Sequence, residues 1–177
     1  LREFDTPRGD IITADGSIIA QTLPVDAANG SGKYKYQRSY PKGELFANIT
    51  GYYTLGYGST QLERTQSAVL KGTTAQQQLE ATGGLFSKDD LSGSVHVTLR
   101  ADLQAAAKKA LGNREGSVVV LDPKTGAVVA MYSNPSFDPN LIAKHSMSRS
   151  PRCHCVMQSR ALHARLHIQD CDNNHWS

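Results

Sequence analysis

Ser94-Val-His-Val-Thr-Leu-Arg-Ala-Asp-Leu-Gln-Ala-Ala-Ala-Lys-Lys-Ala-Leu-Gly112, and after three residues Gly116-Ser-Val-Val-Val-Leu-Asp-Pro-Lys-Thr-Gly-Ala-Val-Val-Ala-Met131, form the most regular stretch of the chain. Val95, Val97 and Leu99 alternate with Ser94, His96 and Thr98, the period of a half-buried strand. Leu103, Ala106, Ala107, Ala110 and Leu111 then recur at helical spacing, with Asp102 near the positive end of the helix dipole and Lys108 and Lys109 near the negative end. Gly112 closes that helix. Val118 to Leu121 and Ala127 to Met131 read as two strands joined by Asp122-Pro-Lys-Thr-Gly126, whose Pro and Gly suit a tight antiparallel turn. Strand, helix and hairpin make an α+β unit.

Working towards the N-terminus, Ile11-Ile12 and Ile18-Ile19 flank Asp15-Gly16, so residues 9–21 are expected to form a β-hairpin. Lys33 to Tyr40 alternates Tyr34, Tyr36, Arg38 and Tyr40 with other residues and reads as a strand that Pro41 ends. Thr60-Gln-Leu-Glu63 fits a capping box, which predicts a short helix through Leu62, Val69 and Leu70 with Gly72 as its stop. This front part is richer in strands than in helices.

Working towards the C-terminus, the composition changes at residue 144. All three Cys (Cys153, Cys155, Cys171), Trp176 and every His except His96 lie beyond it. The net charge of +3 also resides there, because acids and bases balance before residue 144. A nucleic-acid binder carries its basic stripe on folded structure, so no nucleic-acid partner is expected. No apolar run approaches the roughly 20 residues of a membrane span. The chain begins at Leu1 without Met or a signal-peptide pattern, so a preceding segment is expected. His163, His167, Cys171 and His175 recur every four residues, yet a helix drifts about 40° per such step. Only an adjacent pair, joined by Cys153 or Cys155, could meet one zinc ion, and the spacing fits structural sites poorly. No metal and no cofactor is expected. In an oxidising compartment two of the three Cys are expected to pair.

Arg8-Gly-Asp-Ile-Ile-Thr-Ala-Asp-Gly16, Tyr40-Pro-Lys-Gly43, Gly51-Tyr52, Gly58-Ser-Thr-Gln-Leu-Glu63 and Leu121-Asp-Pro-Lys-Thr-Gly126, in that order, resemble class B penicillin-binding proteins, most of all the penicillin-binding protein A group of actinobacteria. The resemblance covers residues 1 to about 143 and stops there. It implies a β-rich N-terminal pedestal, or dimerisation domain, over 1–93 and the opening of a transpeptidase domain over 94–143, with Phe137-Asp-Pro-Asn140 leading out of the hairpin. Residues 144–177 form an irregular tail, disordered or translated from a shifted frame. Intact relatives are D,D-transpeptidases that attack D-Ala-D-Ala stem peptides through an acyl-serine, bind penicillin, and work on the outer face of the plasma membrane. The implied partners are cell-wall synthesis or division proteins, with any membrane contact made through an anchor outside this sequence.

The family's Ser-x-x-Lys, Ser-x-Asn and Lys-Thr-Gly motifs are not usable here. Ser39-Tyr-Pro-Lys42 matches the first as a string, but Pro41 breaks the helical turn that would bring a Lys beside its Ser. Lys124-Thr-Gly126 is a turn between two strands. No Ser-x-Asn occurs. His96 reads as a surface or half-buried residue, and Tyr34, Tyr36, Tyr40, Tyr52, Tyr53 and Tyr57 as packing residues rather than a sugar-stacking platform. The sequence therefore predicts a truncated, inactive penicillin-binding protein with no catalytic residue of its own. The alternatives are a non-catalytic cell-wall scaffold and a small zinc protein built on the tail.

Overall fold

The computed structural model describes residues 6–25, 35–54, 57–82 and 92–143, without the side chains of 80–82. Strand β1 (Ile11–Ile12) turns into β2 (Ile18–Pro24) with Ile11 opposite Ala20 and a register shift between Ile11 and Ile12. The turn is made by Thr13, whose hydroxyl accepts from Ser17 N at 3.0 Å and whose carbonyl accepts from Gly16 N at 2.9 Å. Gly16 takes φ +79°, which a residue bearing Cβ rarely adopts. β3 (Tyr36–Ser39) lies antiparallel to β2, from Gln21 opposite Ser39 to Pro24 opposite Tyr36. Tyr34, placed on this strand by the sequence reading, lies outside the described residues.

A 3-10 turn (Gly43–Leu45) and helix α1 (Ala47–Thr50) follow, then the two-residue strands β4 (Tyr53–Thr54) and β5 (Gly58–Ser59), which pair with each other. The helix expected over residues 60–72 is two short helices, α2 (Gln61–Thr65) and α3 (Ser67–Leu70), and α4 (Ala75–Thr82) comes next. Thr60 makes no side-chain cap bond to α2. Its hydroxyl instead accepts from Tyr52 N at 3.2 Å, so the capping-box expectation fails.

β6 (Val95–His96) runs parallel to β1, giving a sheet ordered β3-β2-β1-β6. The strand expected to belong with the later hairpin thus pairs with the first one. Gly9 permits that return, because a Cβ there would lie 2.1 Å from the Gly93 carbonyl oxygen. Helix α5 (Ala101–Leu111) packs on the hairpin β7 (Gly116–Leu121) and β8 (Val128–Asn134), and α6 (Asn140–Ala143) ends the described chain. In the α5 stripe Ala107 is buried, but Ala106 and Ala110 are exposed and Gln104 is fully buried. The main core holds Ile11, Ile19, Tyr40, Phe46, Leu70 and Leu99. A second is built on Ala107, Ala130 and Tyr132, and Leu45 packs against both. Among the described residues no helix is long and apolar enough to cross a membrane.

Candidate functional site

The most unusual chemistry in the fold is a buried cluster of charges. Arg8 precedes β1, Arg38 lies on β3 and Glu63 on α2, with residue exposures of 5%, 3% and 0%. Arg8 Nε donates to Glu63 Oε2 at 2.6 Å and Arg38 Nε to Glu63 Oε1 at 2.7 Å. Arg8 Nη2 also donates to the Glu63 carbonyl oxygen, and its guanidinium sits 4.5 Å over the Tyr53 ring. Arg38 Nη1 reaches the carbonyls of Arg8 (3.1 Å) and Gly9 (2.8 Å) and the Thr22 hydroxyl (3.1 Å). Tyr40 donates its hydroxyl to Glu63 Oε1 at 3.3 Å, and burial, followed by the Glu63 charge, pushes its pKa well above the usual tyrosine value. Buried charges of this kind persist where each is paired and hydrogen-bonded. The cluster locks β1, β3 and α2 together.

The catalytic look-alikes lie at a strand end and in turns. Ser39 ends β3 opposite Gln21, and Lys42 lies past the Pro41 turn with φ −97° and ψ 2°. Pro41 and the turn after β3 separate the two residues, so they do not stand one helical turn apart on a helix. Lys124-Thr-Gly126 is the β7–β8 turn: Asp122 Oδ1 accepts from Lys124 N at 3.0 Å, Asp122 Oδ2 from the Thr125 hydroxyl at 2.8 Å, and Gly126 has φ +73°. His96 is exposed. Tyr40 and Tyr53 are buried, Tyr36 and Tyr52 half-buried, and Tyr57 exposed. Among the described residues no group of His, Cys, Asp or Glu could hold a metal ion. Cys153, Cys155, His163, His167, Cys171 and His175 lie outside them.

The sequence reading missed three polar residues that tie the chain together. Gln104 Nε2 donates to the carbonyls of Leu45 (2.9 Å) and Met131 (2.7 Å), while its Oε1 accepts from Met131 N at 2.8 Å. Asn140 brackets Tyr40, accepting from its N–H at 2.8 Å and donating to its carbonyl at 2.9 Å. Ser136 donates to the Glu44 carbonyl at 2.7 Å. A Gln amid the Ala residues of an amphipathic helix carries no sign that it faces inward.

The β-rich front with its locked charge cluster, followed by a strand, a helix and an edge hairpin, matches two known domain families in order. Residues 8–95 match the penicillin-binding protein A dimerisation domain, and residues 116–167 match the penicillin-binding protein transpeptidase domain. The chain belongs to the class B penicillin-binding proteins. Within that class it is similar to the peptidoglycan D,D-transpeptidase PbpA of Mycolicibacterium smegmatis, 39% identical over 154 residues that make up 84% of this chain and 30% of that protein. The PbpA of Mycobacterium tuberculosis strain H37Rv is 36% identical over 152 residues, 82% of this chain and 30% of its own. The structure of penicillin-binding protein A from M. tuberculosis as a ceftriaxone acyl-enzyme complex superposes with a TM-score of 0.77 at 31% identity, covering 88% of this chain and 35% of that one. The chain thus spans about 30% of the length of the curated relatives it matches. The transpeptidase match runs to residue 167, past Ala143, where the change of composition had placed the end of the resemblance.

Proposed function

We propose that this chain is the leading part of a peptidoglycan D,D-transpeptidase, with a pedestal over 1–93 and the opening of the catalytic domain over 94–143, and that the acyl-serine chemistry is absent from the frame translated here. The observation that carries this reading is the pair of domain matches in family order on a fold in which Ser39, Lys42 and Lys124-Thr-Gly126 are structural. A complete product would act on the outer face of the plasma membrane, with the pedestal meeting other cell-wall synthesis or division proteins.

The genetic code supports a shifted frame in the tail. Read one nucleotide on, each triplet joins the last two bases of one codon to the first of the next. Leu166-His167 can then give Ser, His167-Ile168 only Thr or Ile, Ile168-Gln169 only Phe, Ser or Tyr, and Gln169-Asp170 only Lys or Arg. Ser-Thr-Phe-Lys is an allowed reading, and it falls after Phe137-Asp-Pro-Asn140, where the family resemblance places Ser-x-x-Lys. From Asp170-Cys171 to His175-Trp176 the shifted triplets allow only Thr, Ile, Ala or Val, and Trp176-Ser177 must give Gly. The charges of Asp170 and Asp172 vanish in that reading, as a nucleophile-bearing segment packed inside a domain requires.

A native tail on a non-catalytic scaffold is the second reading, and the transpeptidase match reaching residue 167 favours it. The coding DNA decides between them. The proposal expects codons CTC-CAC-ATT-CAA for Leu166–Gln169. Codons that forbid Ser or Lys in the shifted frame would remove it.

A further inference from the structure

We propose that the backbone from Tyr40 to Leu45 is a clasp that makes residues 6–82 and 92–143 one cooperative unit, so that a conformational change in the pedestal is felt at the segment leaving the β7–β8 hairpin. The inference rests on the pedestal and catalytic halves proposed above and concerns how they are coupled. Polar side chains cross between the halves from both sides: Asn140, Ser136 and Gln104 from the catalytic side, Asn48 and Asp15 from the pedestal side, and the exposed Lys108–Glu44 pair joins them as well. Asn140 takes both backbone polar groups of Tyr40, filling the place of a next strand at the end of β3. Its own amide is oriented by Asp138, whose Oδ1 accepts from Asn140 Nδ2 at 2.8 Å and from Asn140 N at 3.0 Å. Ser136 holds the Glu44 carbonyl and Gln104 the Leu45 carbonyl. From the pedestal side, Asn48 Nδ2 donates to the Ser133 carbonyl at 3.0 Å.

Asn140, Ser136 and Gln104 grip backbone groups of Tyr40–Leu45, so these three contacts read the path of that segment, while the exposed Lys108–Glu44 pair at 3.5 Å adds a side-chain contact. Leu45 lies against both apolar cores, and β6 carries the chain of the second half into the sheet of the first. An element shared by two cores moves as a unit with both, because packed interiors switch between arrangements rather than bending continuously. The same segment continues directly from β3, whose Arg38 is held in the charge cluster, so a pedestal displacement at Arg38 is transmitted to Asn140 through a few bonded residues.

Native-state hydrogen exchange on the full chain tests this. Asn140→Ala is expected to speed exchange of the Tyr40 amide at least tenfold. Gln104→Ala, a change in the second half, is expected to speed the amides paired between β2 and β3 by the same factor as those paired between β7 and β8. Unchanged Tyr40 protection in Asn140→Ala would overturn the clasp. So would Gln104→Ala loosening β7–β8 while β2–β3 stays protected, since the halves would then open independently. If Gln104→Ala does not fold, Asn48→Ala puts the same question from the other side. None of these outcomes depends on penicillin binding or on the coding frame, so the clasp and the proposed function can fail separately.

Discussion

Glu63 is the residue on which the front half turns. Two arginines share its carboxylate in the dry interior, so removing it leaves both guanidiniums buried with their main counter-charge gone. Breaking a buried pair in this way costs about 3–5 kcal/mol. The exposed Arg100–Asp102 pair, at 2.8 Å, contributes little because water screens it. Urea unfolding of Glu63→Ala and Asp102→Ala is therefore expected to show a loss of several kcal/mol for the first and almost none for the second. Equal small losses would contradict the role given to the cluster. The sequence displayed Arg8, Arg38 and Glu63 but not their meeting. Glu63 sat in a textually perfect capping box, and only the tertiary path of β3 past α2 offers its carboxylate two stronger partners than a backbone N–H.

At the scale of elements, the two hairpins were legible because their turns are local: Asp15-Gly16 and Asp122 to Gly126 carry the chemistry of a reversal within a few residues. The parallel pairing of β6 with β1 was not, since nothing near Val95 names a partner so distant in the chain. The helix start at Ala101 shows the same dependence on distance, for its N–H is capped by Asp15 Oδ2 at 3.0 Å, from the first hairpin. The Thr13 hydroxyl, donating to Asp15, and this backbone bond hold the Asp15 carboxyl below the usual carboxylate range. A depressed folded pKa gives stability that is complete above the unfolded value and lost as pH falls through the folded one. Thermal unfolding from pH 7 to pH 2 should accordingly fall less steeply for Asp15→Asn than for the parent. Asp102 and Asp122, also lowered, keep part of the slope in the variant. Identical slopes would show that Asp15 contributes nothing through its charge.

The β7–β8 hairpin carries a second consequence at this scale. Val119, Leu121 and Met131 are exposed by 54%, 57% and 38%, and β7 has no strand beside it other than β8 among the described residues. An apolar strand edge of this kind templates association between chains. The protein is expected to self-associate at high concentration, and Val119→Lys with Leu121→Lys to reduce that association while leaving the N-terminal sheet intact. Sedimentation at rising concentration measures it, and a parent chain that stays monomeric throughout would contradict the expectation.

For the molecule as a whole, the family was legible from five short motifs in order. The clasp through Gln104 and Asn140 was not legible, because a buried amide looks like any polar residue until the backbone it serves is in place. The central claim is that this chain has the scaffold of a transpeptidase without its acylating serine. Fluorescent-penicillin labelling of this chain, beside the product of the same DNA continued one nucleotide on, tests it most directly. The account predicts no labelled band for this chain, and for the shifted product a band that disappears when the serine of its Ser-x-x-Lys is replaced by alanine. A band on this chain that is lost in Ser39→Ala, or an unlabelled shifted product, would contradict it.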